Sequence, residues 1–216
     1  MKKKRSSEAT VKQILEVSER LFLTYGYENT SLQNIIDELE GLTKGAIYHH
    51  FKSKEAILNA INEKILYENS PFLLVKEYKD LNGREKIRKA FLISLENKEQ
   101  QYINKMLIQK TNSPKLIYEM IETNKKVLAP QLLELINEGL DDKSIQTEFP
   151  KEMSEVIMLL VNIWLLSHIY PVSDTELKRK IEFISTMTKN MGADFIDDIL
   201  KEKLIGVLSS LNSLSE

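Results

Sequence analysis

Apolar residues recur every three or four positions along most of the chain, and that rhythm confines the fold to packed helices. Val11, Ile14, Leu15, Leu21, Phe22 and Tyr25 fall on one helical face, and Ile57, Leu58, Ile61 and Ile65 repeat the pattern. Residues that break helices are sparse, with 7 Gly and 5 Pro among 216 residues, which argues against a turn-rich all-β fold. No alternating strand run exceeds a few residues, and no repeat or low-complexity tract interrupts the pattern. The expected fold class is all-α.

Several chemistries are excluded by what is missing. The chain contains no cysteine, which removes disulfides, thiolate nucleophiles, Fe–S clusters and Cys-type zinc sites. Three histidines, His49, His50 and His168, leave little for a His-based metal site. There is no His/Glu metal spacing and no Gly-rich phosphate loop. No enzyme, no cofactor and no metal are expected. The Lys-rich start runs into a polar periodic segment rather than an apolar signal core, so a cytoplasmic protein is expected. The stretch from Val156 to Tyr170 lacks Lys, Arg, Asp and Glu. It is shorter than the ~20 residues a bilayer span needs, and it contains Asn162, Ser167 and His168. It reads as a helix buried in a core or a dimer interface, with no membrane partner.

Charge is nearly balanced overall, 30 Lys+Arg against 32 Asp+Glu, but unevenly placed. Lys2, Lys3, Lys4 and Arg5 open the chain without an acid, and residues 43–54 carry Lys44, Lys52 and Lys54 without one. A neutral domain can present one basic face in this way. The opening run reads equally as an arm attracted to phosphate or as a tail without a role.

Helix signals divide the chain. A first helix occupies about 7–25 and stops at Gly26. Thr30 and Gln33 have capping-box spacing, ahead of a short helix from Leu32 to Leu39 that turns Ile35, Ile36 and Leu39 inward. Gly41 ends it. Thr43 can cap a third helix, Lys44 to about Phe51, and Ser53 can cap a fourth. Ser70-Pro71 marks the boundary between residues 7–69 and 70–216. Beyond it, helices are expected near 71–80, 84–98, 100–110, 114–138, 151–170, 174–191 and 194–212.

Residues 30–54, TSLQNIIDELEGLTKGAIYHHFKSK, carry the function. Two helices of about two turns flank a tight turn, the outline of a helix-turn-helix. A helix entering the major groove, ~12 Å wide, must be compact or hydrogen-bonding on its outer side. Thr43, Lys44, Gly45 and Ala46 are compact at the start, Ile47 and Phe51 can face the core, and Tyr48 and His49 carry donors on the outer side. Lys52 and Lys54 follow at the next helix start, where the helix N-terminus itself attracts phosphate.

These residues resemble the DNA-binding domain of the TetR family of transcriptional regulators. Thr43 to Glu55, TKGAIYHHFKSKE, is similar to that family's recognition helix and the start of its fourth helix. Leu21-Phe22 and Gly26-Tyr27 before Thr30 resemble its first helix. In one departure, residues 35–43 hold one residue more than the family's usual turn, or Ile36 takes the usual Ile position. The resemblance implies a three-helix N-terminal helix-turn-helix domain, then a helical ligand-binding and dimerisation domain. It implies DNA contacts from Thr30, Ser31, Thr43, Lys44, Gly45, Ala46, Tyr48, His49, Lys52 and Lys54.

Beyond residue 69, Leu132-Leu133 with Ile136 and Gly139, then Ser144-Ile145, Thr147 and Pro150, is similar to the regulatory domain of many family members. The partners so implied are a double-stranded operator, a second copy of the chain and a small-molecule effector. Dimerisation is expected through helices 151–170 and 174–191, whose apolar faces hold Val156, Leu159, Leu160, Ile163 and Leu166, then Ile181, Ile184, Met187 and Met191. Met106, Tyr118, Met158, Trp164 and His168 are the candidate pocket residues, though Met and aromatic residues at helical spacing are more often core. The expected function is a ligand-responsive repressor binding a palindromic operator as a homodimer. The alternative is a co-regulator or scaffold on the same fold, acting through protein partners without induction.

Overall fold

A computed structural model describes residues 7–39, 41–42, 44–98, 101, 114–167 and 169–212. Thr43, Met106, His168, the Lys2–Arg5 run and nearly all of the helix expected over 100–110 lie outside the described residues. Among those residues the regular structure is helical throughout, and no helix is long and apolar enough to cross a membrane.

Four helices build a first hydrophobic core. Helix α1 (Ser7–Tyr25) ends at Gly26, whose φ of +87° favours glycine. Helices α2 (Leu32–Glu38), α3 (Lys44–His50) and α4 (Lys54–Glu68) follow. Ile14, Ile35, Ile47, Ile57, Leu58 and Ile61 meet in this core, each essentially inaccessible to solvent. The N-cap of α2 is Ser31 rather than Thr30. The Ser31 hydroxyl accepts from Asn34 N at 3.1 Å, and Asn34 Oδ1 accepts from Ser31 N at 2.8 Å. The expected cap moved by one residue because Thr30 is drawn inward, where its hydroxyl donates to the Gly26 carbonyl at 2.9 Å and the Leu21 carbonyl at 3.3 Å.

A second core is built by α5 (Pro71–Leu74, continuing as a 3₁₀ turn over Val75–Glu77), α6 (Gly83–Glu96), α8 (Ala129–Asp141), α9 (Pro150–Leu159), α10 (Asp174–Asn190) and α11 (Asp198–Asn212), with α7 (Pro114–Thr123) leading into α8. Phe72 meets Phe91 edge to face and Phe91 stacks on Phe195, with ring centroids 5.4 and 5.7 Å apart. Helices α6 and α8 cross where Gly83 meets Gly139. A Cβ on Gly83 would lie 2.2 Å from the Gly139 nitrogen. Lys86 and Glu138 pair beside the crossing at 2.5 Å.

The start of α6 is also tied to the end of α8. Asp142 accepts from Gly83 N at 2.6 Å and from Ser144 N at 2.9 Å. Burial pushes its carboxyl up, but the hydrogen bonds from Ser144 and Gly83 outweigh this and hold it below the usual carboxylate value. Because the folded pKa is depressed, the stability this carboxylate contributes is complete above the unfolded value of about 3.9 and is lost as pH falls through the folded value. Asp142→Asn is expected to flatten the acid limb of stability below about pH 4. Urea unfolding of both proteins at several pH values checks this, and parallel acid limbs would refute it.

The long helices differ from their expected form. Helix α7 passes into α8 through a π-helical segment, Asn124–Leu128, and α9 ends in another, Leu160–Trp164, short of residue 170. The side chains of Asn162 and Asn124 join the two segments, with Nδ2 donating to Oδ1 at 2.8 Å. The Trp164 carbonyl, released where the helix stops, accepts from Lys180 Nζ at 2.8 Å. Helix α11 starts at 198 rather than 194 because Phe195 and Ile196 turn into the core and Asp197 caps Leu200 N at 2.9 Å. The expected intersubunit face of α10 is corrected as well. Ile181 and Ile184 are buried in the chain's own core with Leu200 and Leu204 of α11, while Phe183 on α10 and Val156 and Leu159 on α9 are exposed.

Candidate nucleic-acid interface

The turn between α2 and α3 passes through Gly41 at φ +76°, and the Leu39 carbonyl accepts from Leu42 N at 3.4 Å. Glycine is suited to that backbone conformation. Arg20 of α1 reaches Glu38 at the end of α2, 2.7 Å away, and Gln33 donates to Asp37 at 2.6 Å. Both pairings engage α2 carboxylates that would otherwise oppose an anionic partner.

Helix α3 is anchored by one fully buried side chain, Ile47, with Phe51 buried immediately after it. Lys44, Gly45, Tyr48 and His49 are exposed, and Ala46 and His50 are half-buried. A Cβ added to Gly45 would meet nothing within 4 Å. Lys44 and Tyr48 stand one turn apart, with the ammonium 5.9 Å from the ring centroid. The His49 and His50 rings meet edge to face at 5.3 Å. Exposed Lys52 reaches back to the Tyr48 carbonyl at 2.7 Å, at the end of α3. Ser53 caps α4, its hydroxyl accepting from Ala56 N at 3.1 Å. The result is one compact helix end whose outer face carries an ammonium, a phenol and an imidazole, with a second ammonium behind.

Ser31, Lys44, Gly45, Tyr48, His49 and Lys52 are thus exposed around one helix-turn-helix, with half-buried Ala46 among them. Two other expected contacts lie deeper. Thr30 is buried, with its hydroxyl committed to two carbonyls of α1 and its turn. Lys54 is half-buried, its ammonium donating to the Tyr27 carbonyl at 2.6 Å and the Thr30 carbonyl at 2.8 Å. Its ammonium also lies 4.1 Å from the Tyr27 ring centroid. Sequence reading missed Tyr27 as that seat. Its only local signal is an aromatic residue directly after the helix-ending Gly26.

Three of the expected pocket residues, Tyr118, Met158 and Trp164, are among the described residues. Tyr118 is exposed on α7, Met158 is buried in the core, and Trp164 packs edge to face on Phe183 at 5.8 Å. None of them lines the apolar cavity of about 10 Å³ that lies between α6, α9, α10 and α11, walled by Phe91, Ile157, Val161, Ile181, Phe195 and neighbours. That volume holds about one water molecule.

The sequence model of bacterial regulatory proteins of the tetR family matches residues 14–61, from the middle of α1 into α4. Residues 14–61 thus carry the TetR-family domain. The transcriptional repressor KstR2 of Mycolicibacterium smegmatis is 24% identical over 148 residues, which are 65% of this chain and 70% of the relative. The transcriptional regulator TtgR of Pseudomonas putida is 39% identical over 62 residues, 29% of each chain. Likeness to solved structures extends over the whole chain. A TetR-family transcriptional regulator from Pectobacterium atrosepticum superposes with a TM-score of 0.55 at 18% identity, covering 97% of this chain and 95% of the other. A transcriptional regulator from Cytophaga hutchinsonii gives 0.58 at 16% identity, covering 95% of each. These structures share the fold. The TetR-family domain and the repressor relatives together support a DNA-binding transcriptional regulator.

Proposed function

We propose that this TetR-family chain is a repressor that reads a palindromic operator as a homodimer and releases it on binding a small molecule. The division is 7–69 for DNA binding and 70–216 for regulation. The observation that supports DNA reading best is the outer face of α3. Lys44, Gly45, Tyr48 and His49 are exposed on a helix whose only fully buried side chain is Ile47. In this reading α3 is the recognition helix. Lys44 reaches a base edge or phosphate at its start, Tyr48 and His49 donate to phosphate, and Gly45 and Ala46 let the backbone approach. Ser31 and Lys52 hold phosphates on either side. Thr43, the residue before α3 in sequence, is a further proposed contact.

Dimerisation is supported by the exposed apolar residues Val156 and Leu159 on α9 and Phe183 on α10. A two-fold dimer sets half-sites about one helical turn apart, ~34 Å. An effector acts by favouring a subunit arrangement that no longer fits adjacent grooves. The alternative, a regulator acting through protein partners without induction, gains support from one observation. Among the described residues, the apolar cavity between α6, α9, α10 and α11 has about 10 Å³, room for about one water molecule.

Selection of bound fragments from random DNA by the purified protein, followed by isotherms at two salt concentrations, tests the proposal. A palindromic consensus is expected. Each neutralised phosphate contributes about −0.9 to the slope of log K against log salt. A failure to enrich any consensus, with weak binding only, would overturn the operator-reading proposal and favour the alternative.

A further inference from the structure

We infer that Gln131 is a positioning residue that braces the DNA-binding core against the second core and so sets how far apart two recognition helices stand. This inference rests on the operator-reading homodimer proposed above. The chain passes from one core to the other through Asn69 and Ser70, between the end of α4 at Glu68 and the start of α5 at Pro71. Neither residue continues a helix: φ and ψ are −121° and 21° at Asn69 and −56° and 134° at Ser70. Each residue of such a link has two rotatable backbone bonds, so the link joins the cores without fixing the angle between them.

Gln131, in the first turn of α8, supplies a second attachment. Its Nε2 donates to the Leu66 carbonyl at 3.1 Å. Leu66 holds one of the last four carbonyls of α4, which the helix itself leaves without an N–H partner. The π segment Asn124–Leu128, directly before α8, also packs on α4. The amide is buried, and its Oε1 has no hydrogen-bond partner among the described residues. Leaving a buried acceptor unpaired costs stability. A methionine of nearly the same shape would fill the site without that cost. Packing alone would therefore be served as well by methionine, and the distinct contribution of the amide is the bond that crosses between the cores. Helix α4 belongs to the core that carries α3. Rotation at Asn69 and Ser70 would thus swing each recognition helix and alter the spacing of half-sites that a two-fold dimer can span.

The test uses the full-length protein with three duplexes: the selected palindrome, the same palindrome with one base pair added between its half-sites, and a single half-site. The added pair shifts one half-site by about 3.4 Å and turns it by about 35°. The wild type is expected to bind the lengthened palindrome at least about tenfold more weakly. Gln131→Met should weaken binding to the original palindrome, leave the single half-site unchanged and distinguish the two palindromes by less than about threefold. Its Tm should equal or exceed that of the wild type. Gln131→Asn keeps the buried amide but is one methylene too short to reach Leu66. It should lower Tm and yet distinguish the palindromes as poorly as Gln131→Met, which separates spacing from stability. Asn137→Met, exposed on the same helix, is the control and should match the wild type on all three duplexes. Wild-type discrimination in both Gln131 variants would overturn the inference, as would equal losses on half-site and palindrome or a wild type indifferent to the added pair. If the wild type selects no palindrome, the proposed function fails separately. Hydrogen exchange of the 65–70 amides then decides on the brace: faster exchange in Gln131→Met than in Asn137→Met supports it, and equal exchange removes it.

Discussion

Gly45→Glu is expected to abolish operator binding while leaving the fold at least as stable as the wild type. A Cβ at Gly45 meets nothing within 4 Å, so the longer side chain enters open space. The residue lies in the first turn of α3, where a carboxylate complements the helix dipole. Replacing glycine inside a helix also recovers up to ~1 kcal/mol of backbone propensity. The same side chain would project where the proposed reading brings phosphate and base edges to the backbone. Steric exclusion and like charge act together there, and operator affinity should drop at least ~100-fold, about 2.7 kcal/mol. Thermal unfolding and an operator titration on one preparation check both halves. Wild-type affinity in a folded Gly45→Glu protein would remove α3 from the DNA.

The largest stability effect is expected at the crossing of α6 and α8. A methyl group on Gly83 would sit 2.2 Å from Gly139 N, 2.4 Å from Gly139 Cα and 2.8 Å from the Leu135 carbonyl. All three are backbone atoms, so no side chain can swing aside and the helices must separate. Separation also strains the Lys86–Glu138 pair and the Asp142 carboxylate on Gly83 N. Gly83→Ala should cost roughly 3 kcal/mol or more and lower Tm by about 6–12 °C. Gly206→Ala, on α11 with nothing within 4 Å, is the control and should be neutral or mildly stabilising. Matching Tm values for the two variants would show that the crossing can relax.

The helices themselves were legible because each buries a continuous apolar stripe. The 3.6-residue period depends on local sequence alone and survives whatever partner covers the stripe. The partner is what local sequence does not carry. Ile181 and Ile184 lie on a stripe that could face a second subunit, yet α11 covers it within the chain. The cap at Ser31 was misplaced by one residue because Thr30 and Ser31 are both competent caps, and the choice was made by the pull of the Leu21 and Gly26 carbonyls on Thr30. Within the candidate interface, the exposed face of α3 followed from Ile47 and Phe51 pointing inward. The inward turn of Lys54 did not, since its carbonyl partners lie 24 and 27 residues earlier. The expected pocket residues were ambiguous for a related reason. Met and aromatic residues at helical spacing fill cores as readily as they line cavities.

The paired π segments bear on how this chain can tolerate insertions and deletions. A π turn is an α-helix accommodating one surplus residue without rotating the helix on either side. Losing one residue within 160–164 would therefore restore ordinary helical winding and leave α9 facing its core. The sacrifice would be the Asn162–Asn124 hydrogen bond. Losing one residue a turn earlier, between Met153 and Ile157, would instead swing the upstream stripe by about 100° relative to the rest of the helix and carry Met153 out of the core that buries it. Length variation in the second core is thus channelled into two short stretches, one on each of two helices that touch.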